Sequence, residues 1–227
     1  MEYMEDGKKM INVIYEDNHL LVVEKPINVP TQQDSSNDKD LLTLLKEYLK
    51  EKYNKPGNVY LGLVHRLDRP VGGVMIFAKT SKAASRLSEQ IRNNTFKKEY
   101  YAVVCGKAKE SDHLVDKLLK DEKTNITKVD SNGKTAILDY KLIDYKDNLS
   151  LVSINLETGR SHQIRVQFSS RKLPLYGDQK YNRNAKVKEQ LALFSKKITF
   201  NHPITNENIS FELDLPNRYP FNLYKDL

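Results

Sequence analysis

Two short stretches of this 227-residue chain combine residue types that could do chemistry. Residues 65–69 read His-Arg-Leu-Asp-Arg and place Asp68 between Arg66 and Arg69, while residues 159–165 read Gly-Arg-Ser-His-Gln-Ile-Arg. Arginines beside a carboxylate favour its charged form, and a charged carboxylate can act as a nucleophile. Arginine is also the side chain best suited to binding phosphate groups. The two stretches therefore predict a nucleophilic aspartate at a site for nucleic acid.

The positive charge of the chain is concentrated around these two stretches. The formal net charge is +7, but residues 79–110 hold eight basic and three acidic residues, and residues 159–197 hold ten basic and two acidic residues. Clustered basic residues give affinity for a polyphosphate backbone through counterion release. A charge run is more often only a solvated surface. We favour the nucleic-acid interpretation because the clustering coincides with the candidate site.

Composition limits the class of protein. Since 39% of the residues are hydrophobic and no apolar run is long enough to cross a bilayer, we expect no membrane span and one domain, undivided or in two lobes. The first ten residues are polar and lack the apolar core of a secretory signal. Cys105 is the only cysteine, which excludes an intramolecular disulfide and favours a reducing cytoplasm. We predict a polar tail over residues 1–10, one catalytic domain over residues 11–227 and a cytoplasmic location.

The pattern of apolar and turn-forming residues predicts many short strands and few helices. A helix is expected from a cap at Thr80 or Ser81 through residue 93, and residues 31–39 and 107–134 give no clear pattern. Because strands outnumber helices and occur in adjacent runs, the predicted class is α+β with a mixed or mostly antiparallel sheet. The other predicted helices cover residues 40–53 and 161–169, and the predicted strands cover residues 11–15, 20–24, 59–64, 74–78, 99–105, 135–144, 149–156, 191–194, 198–200 and 209–213.

The chain resembles the RluA-type pseudouridine synthases, which isomerise uridine in structured RNA. The resemblance implies the pseudouridine synthase fold, in which helices flank a central sheet and the catalytic residues lie in a cleft. It extends in the family's order over nearly the whole chain from about residue 11. The matching segments are residues 13–17, 21–26, 65–68, 98–102 and 158–165, then Gly177-Asp178 with Tyr181, and finally His202-Pro203.

Two departures from the family pattern bear on the substrate. Where the family commonly has Thr-Ser-Gly, this chain has Val71-Gly72-Gly73, which removes two hydroxyls close to Asp68. The sequence leaves open how the replacement of Thr-Ser by Val71-Gly72 affects the choice of substrate. Many relatives also carry an amino-terminal RNA-binding domain of the S4 type. The catalytic pattern starts too early here for such a domain, so we expect the core itself to select the RNA.

The resemblance also implies the roles of three residues. Pseudouridine formation breaks the bond between ribose and uracil N1 and rejoins the base through C5, without a cofactor. Asp68 corresponds to the nucleophile, Arg165 to its basic partner, and Tyr100 to a tyrosine that can stack on uracil and take the C5 proton. Attack on ribose C1′ and attack on uracil C6 both stay open. A structural ion pair is the alternative for Asp68, and Tyr101 is the alternative to Tyr100, although alternation along a strand points it to the opposite face.

A stacked uridine must be flipped out of RNA before its base can react. We expect Arg66 to fill the gap that the base leaves or to contact a neighbouring phosphate. Leu67 and Ile164 are expected to form apolar walls of the uracil pocket or plain core. The further candidate RNA contacts, each with a structural role as its alternative, are Arg69, Lys79, Arg160, His162 and Gln163.

Cofactor motifs are missing from the sequence. The five histidines form no metal-binding pattern, no phosphate-binding glycine loop occurs, and no carboxylate cluster favours a metal-dependent nuclease. We therefore predict an RNA pseudouridine synthase without metal or cofactor that acts on ribosomal or transfer RNA. The alternative is an inactive RNA-binding or ribosome-assembly factor. We expect structured RNA as the partner, no membrane, no required protein partner and, by default, a monomer; the RNA and the uridine stay open.

Overall fold

The computed structural model describes residues 11–34, 36 and 38–225, so the polar tail expected over residues 1–10 lies outside the described part. Three α-helices form over these residues, α1 Leu41–Lys52, α2 Ser81–Arg92 and α3 Gln163–Ser170, with a 3-10 helix at Phe221–Tyr224. The strands are β1 Asn12–Glu16, β2 Leu20–Lys25, β3 Gly62–Leu63, β4 Gly72–Ala78, β5 Lys97–Cys105, β6 Ser111–Asp121, β7 Ile126–Val129, β8 Lys134–Lys146, β9 Leu149–Leu156, β10 Leu193–Asn201 and β11 Asn208–Glu212.

The chain divides into two compact units. The first, unit 1, consists of Met1–Phe96 and Lys197–Leu213, and the second, unit 2, consists of Lys97–Lys196 and Asp214–Leu227. Strand β10 contributes its first residues to unit 2 and its last residues to unit 1. Residues 65–69 therefore belong to unit 1, and residues 159–165 belong to unit 2.

The most buried strand of unit 1 is β4, which carries no polar side chain. Strand β2 pairs antiparallel with β1 and β4, β3 pairs with the end of β4, and β11 pairs with β10. Every residue of β4 is buried. A strand covered on both faces reads as a continuous apolar run, as Val-Met-Ile-Phe-Ala does here. Ala83 and Leu87 of α2 and Phe200 of β10 pack in the same core cluster as Val74 and Ile76.

Local capping fixes where the helices of unit 1 begin. The Asp40 side chain accepts the N–H of Thr43 at 3.0 Å and thereby caps α1, and the Thr80 hydroxyl accepts the N–H of Ala83 at 3.2 Å and caps α2. Caps of this kind satisfy backbone donors that a helix start leaves open. Both helices were predicted from the sequence, and the structure confirms them.

Unit 2 contains an antiparallel series of strands in the order β5, β9, β8, β6, β7. Leu114 and Leu118 of β6 are buried while the residues between them are not, as the alternation of side chains along a strand requires. Asp147 and Asn148 turn the chain between β8 and β9 with φ values of 52° and 59°. Two consecutive positive φ values are the geometry of a tight hairpin turn.

The structure confirms the α+β class and corrects three element predictions. The strand expected over residues 59–64 is reduced to β3, and the strands expected over residues 191–194 and 198–200 are one strand, β10. Residues 107–134 contain β6 and β7, which their many charged residues concealed. Among the described residues, no helix is both long and apolar enough to span a membrane.

Candidate active site

Asp68 lies in the loop between β3 and β4 of unit 1 and is half-buried. Its own carbonyl accepts the N–H of Val71 at 2.9 Å, which closes a tight turn. The preceding carbonyl, of Leu67, accepts the hydroxyl of the buried Thr31 at 2.8 Å. The backbone on both sides of the aspartate is therefore tied to the surrounding unit.

A buried lysine holds the other end of this loop. Lys25, the last residue of β2, is 1% exposed, and its Nζ donates to the carbonyls of Pro26 at 3.0 Å, Arg69 at 3.1 Å and Val71 at 2.7 Å. Three acceptors satisfy all the donors of an ammonium group, which makes its burial tolerable. The sequence contained Lys25 only as part of a matching segment. The one signal in the sequence for its role in holding the loop is that Lys25 is a charged residue at the end of an apolar strand.

The two arginines beside Asp68 have different surroundings. Arg66 is exposed, and among the residues that the structure describes its guanidinium has no hydrogen bond or ion pair. Arg69 forms ion pairs with Asp38 and, at 3.9 Å, with Asp34 of the adjacent loop. Exposed pairs of this kind contribute little stability.

Lys79 is engaged within unit 1. Its Nζ lies 2.7 Å from a carboxylate oxygen of Glu16 and 4.9 Å from the ring centre of Tyr53, and its side chain is 11% exposed. This arrangement favours the structural alternative for Lys79 over an RNA contact. Leu67 is 6% exposed, which fits either a core residue or a pocket wall.

In unit 2, Tyr100 and Tyr101 lie on β5. Tyr100 is 6% exposed and stands opposite Ile154 of β9. Tyr101 is half-buried, with Lys196 Nζ 5.9 Å from its ring centre. Adjacent strand residues point to opposite faces, so only one of the two can serve a site on a given face.

Arg165, in α3, forms a two-bond ion pair with a carboxylate of its own unit. Its Nε donates to Asp178 Oδ2 at 2.8 Å and its Nη2 donates to Asp178 Oδ1 at 2.7 Å, with side-chain exposures of 5% and 0%. The ring of Tyr181 lies 5.1 Å from Arg165 Cζ. Two parallel bonds and a ring against the guanidinium fix its plane. Asp178 and Tyr181 belong to the segments that match the family pattern, but the sequence alone assigns a role to neither.

His162 stands directly before α3 with a left-handed backbone, φ 52°. Its Nδ1 is 2.7 Å from the Tyr181 hydroxyl, which also accepts the N–H of Thr127 at 2.9 Å. Burial raises the pKa of Tyr181, so the hydroxyl stays protonated at neutral pH. His162 is 9% exposed and thus sits within a network that supports the start of the helix.

The other residues of the second stretch differ in exposure. The amide of Gln163 bonds Thr158, the N–H of Arg160 and the carbonyl of Ile137 within the unit, and the residue is 3% exposed. These bonds favour its structural alternative. Arg160 is exposed, and its Nε donates to the carbonyl of Thr135 at 2.8 Å. Ile164 is 4% exposed, like Leu67.

One cluster of potential metal ligands appears over the described residues. Ligand atoms of His113, Asp139 and Glu157 all lie within 4.8 Å of one another, and His113 Nδ1 is 2.7 Å from Asp139. His113 lies on β6, Asp139 on β8 and Glu157 directly after β9, so their spacing in the sequence gave no signal. The side chains of the His113–Asp139 pair are 57% and 46% exposed, which suits a surface ion pair.

Comparison with known proteins gives matches over most of the chain. Residues 19–170 match the family model described as RNA pseudouridylate synthase. The chain is 33% identical over 211 residues to the RNA pseudouridine synthase YhcT of Bacillus subtilis, a match that covers 91% of this chain and 69% of that protein. It is also 33% identical over 221 residues to ribosomal large subunit pseudouridine synthase D of Zymomonas mobilis, with the same coverages of 91% and 69%.

Solved structures share the fold at lower identity. Human RNA pseudouridylate synthase domain containing 4 matches with a TM-score of 0.79 and 21% identity over 94% of this chain and 92% of that one. Human RNA pseudouridylate synthase domain containing 1 matches with a TM-score of 0.74, 21% identity and coverages of 93% and 86%. The fold and the matched residues define an RNA-modifying isomerase. The chain belongs to the RNA pseudouridylate synthase family and is of the RluA type.

Proposed function

We propose that Asp68 is the nucleophile with which this RNA pseudouridine synthase detaches uracil from a target uridine. The observation that carries the proposal is the mounting of Asp68 in a loop whose carbonyls are held by Thr31, Val71 and the buried Lys25. A catalytic group must keep its position while the substrate changes shape, and a loop fixed at both ends provides that rigidity. The exposed Arg66 lies two residues before it.

The proposed reaction is balanced without an added reactant. The bond between ribose C1′ and uracil N1 breaks, a bond between C1′ and C5 forms, and the proton on C5 is lost while N1 ends protonated. Asp68 forms a temporary bond to ribose C1′ or to uracil C6. Tyr100 is proposed to stack on the base and to accept the C5 proton, and Arg165 is proposed as the basic partner of the aspartate.

The candidate RNA contacts fall into two groups according to how far their side chains are exposed and bonded within the protein. We assign phosphate or gap-filling contacts to Arg66, Arg69 and Arg160, whose guanidinium groups reach solvent. The bonds described for Lys79, His162 and Gln163 favour structural roles instead. Leu67 and Ile164 are proposed as walls of the uracil pocket.

The proposed substrate is large-subunit ribosomal RNA, with transfer RNA as the second choice. Relatives that bear the name ribosomal large subunit pseudouridine synthase support this choice, namely enzyme D of Zymomonas mobilis and enzyme C of Vibrio vulnificus, the latter 34% identical over 203 residues that make up 86% of this chain and 62% of that protein. Activity as a monomer in the cytoplasm stays a prediction.

The test is release of tritium from RNA labelled at uridine C5. Purified protein is incubated, with a chelator present, with labelled ribosomal and transfer RNA from cells that lack it. We expect the wild type to release tritium and Asp68→Asn to release none above background, because the amide is no nucleophile. The control variant is Asp147→Asn, at an exposed turn whose positive φ suits asparagine.

The outcomes separate the candidate functions. Release that survives the chelator in wild type and Asp147→Asn supports an isomerase that needs no metal. Full release by Asp68→Asn would remove the aspartate from the mechanism. Tight RNA binding without release by the wild type would instead identify an inactive RNA-binding or ribosome-assembly factor.

A further inference from the structure

Lys98, on β5 of unit 2, is a buried cation without a described counter-charge. It is 9% exposed, and no residue that the structure describes offers its Nζ a hydrogen bond or an ion pair. Burial lowers the pKa of Lys98, with no neighbouring group acting in the opposite sense. An uncompensated charge inside a protein is destabilising, so its presence needs a reason.

The other buried lysine shows what a purely structural solution looks like. Lys25 places its ammonium against three backbone carbonyls at 2.7–3.1 Å. Lys98 has no such set of acceptors among the described residues. An ammonium group that lacks acceptors inside the protein is suited to binding an anion that arrives from outside.

Gly159 leaves room for an anion beside this ammonium. Among the described residues other than the two chain neighbours of Gly159, the one atom within 4 Å of a Cβ added there is Lys98 Nζ, at 3.7 Å. The space in front of the glycine is otherwise open with respect to these residues. Gly159 is exposed, and its φ lies outside the left-handed region. The open space is therefore the distinctive property of the glycine at this position. Arg160, the next residue, is also exposed.

We propose that Lys98 Nζ and the open face of Gly159 bind one phosphate group of the substrate RNA. The inference rests on the proposed function, which makes RNA the substrate. Phosphate is the group of RNA that carries a permanent negative charge, and an ammonium binds it as a point charge. Tyr100 stands two residues along β5, and alternation puts its side chain on the same face as Lys98. The phosphate is accordingly assigned to the nucleotide that Tyr100 serves.

Removing the charge has opposite effects on the free protein and on RNA binding. In Lys98→Met the unpaired ammonium disappears from a buried site, so we expect the thermal midpoint of the free protein to rise by about 2–4 °C. Binding of a fluorescein-labelled RNA stem-loop with a uridine-rich loop is measured against KCl concentration. The loss of one phosphate contact should reduce the slope of log affinity against log salt by about 0.7–0.9. If the variant and the wild type bind equally at 1 M KCl, the variant therefore binds about five- to eightfold more weakly than the wild type at 0.1 M KCl.

A second variant blocks the site and leaves the charge in place. Gly159→Ala puts a methyl group next to the ammonium, where we expect it to displace the phosphate and to lower the salt slope as Lys98→Met does. The matched control is Gly57→Ala, because a Cβ at Gly57 meets no atom of the described part of the chain within 4 Å and its φ is not positive. We expect this control to bind RNA like the wild type.

Each result decides for or against the phosphate site. A raised thermal midpoint with a reduced salt slope supports it. A lowered midpoint would mean that the ammonium has a structural role, and an unchanged slope with reduced kcat would mean that it contacts the base instead; either result overturns the proposal. Failure of the proposed function shows separately, as absence of tritium release by the wild type, and leaves the binding and stability measurements readable.

Discussion

Single contacts determine how the chemical groups of this enzyme are oriented. Asp178 holds Arg165 through two bonds of 2.8 and 2.7 Å, and both side chains are almost fully buried. Since Arg165 is the proposed partner of the nucleophile, we predict that Asp178 is a positioning residue that acts through it.

Asp178→Asn is expected to lower kcat for tritium release by about tenfold or more while KM changes by less than about twofold, because the guanidinium loses its fixed plane. The control is Asp116→Asn, which breaks a 2.8 Å pair with Arg171 at the end of the same helix and should leave kcat unchanged. In an Arg165→Met background, Asp178→Asn should add no further loss. Additive losses, measured on variants that circular dichroism shows to be folded, would contradict the assignment.

Lys25→Met is expected to lower both stability and activity. The change leaves three carbonyls, including those of Arg69 and Val71 beside the nucleophile loop, without their shared donor. Unsatisfied buried acceptors cost about 1–3 kcal/mol each. Urea unfolding measures the first effect and tritium release the second. Lys39→Met, which removes only an exposed pair with Glu47, should change neither, and equal behaviour of the two variants would argue against the role of Lys25.

At the scale of elements, one carboxylate ties α1 to the strands of unit 1. Glu16, at the end of β1, accepts from Lys79 and Tyr53 at 2.7 Å on one oxygen and from Lys52 and Tyr48 at 3.0 Å on the other. Burial alone would raise the pKa of this carboxyl. The four hydrogen bonds outweigh burial and lower the pKa from 4.5 to about 2.

The stability supplied by Glu16 should therefore depend on pH. Because the pKa in the folded state is below that of the unfolded chain, the stabilisation is fully present above about pH 4.5 and is lost as the pH falls towards 2. Urea unfolding should find Glu16→Gln less stable than the wild type by about 1–3 kcal/mol at pH 7, with the difference shrinking below pH 4.5. Glu47→Gln serves as the exposed control. A difference that stays constant down to pH 2 would refute this explanation.

At the scale of the whole molecule, the net charge belongs to unit 2. Its sequence ranges hold 22 Lys and Arg against 15 Asp and Glu, whereas those of unit 1 hold 15 of each kind. The entire net charge of +7 is thus carried by the unit that contains α3, Lys98 and Gly159. Electrostatic attraction of RNA should depend mainly on this unit.

Charge reversal at matched positions tests this distribution. The triple variant Arg183→Glu, Lys186→Glu, Lys188→Glu changes three exposed residues of unit 2. It should weaken RNA binding at 0.1 M salt by about tenfold or more, with a smaller salt slope. A triple variant of Lys46, Lys50 and Lys55 to Glu changes the net charge equally but lies in unit 1, and its effect should be several-fold smaller. Equal losses would show that net charge alone controls binding.

Much of the fold could be predicted because its signals are local. The helices α1 and α2 follow from the caps Asp40 and Thr80 together with apolar spacing, and β2 and β4 follow from continuous apolar runs. Strand β6 escaped prediction because only Leu114 and Leu118 mark its buried face among charged neighbours. Pairing with β8 stabilises such a strand, and pairing depends on residues distant in the chain.

The sequence by itself determined the class of enzyme and the candidate nucleophile, because residues 65–69 and 159–165 and the segments around them occur in the family's order. Only the tertiary structure decided which charged groups are already paired. Lys79 is bound to Glu16, Arg165 to Asp178, and Lys98 to no described residue. The physical reason is that a charge is paired or left unpaired by contacts between residues far apart in the chain, which composition and spacing do not encode.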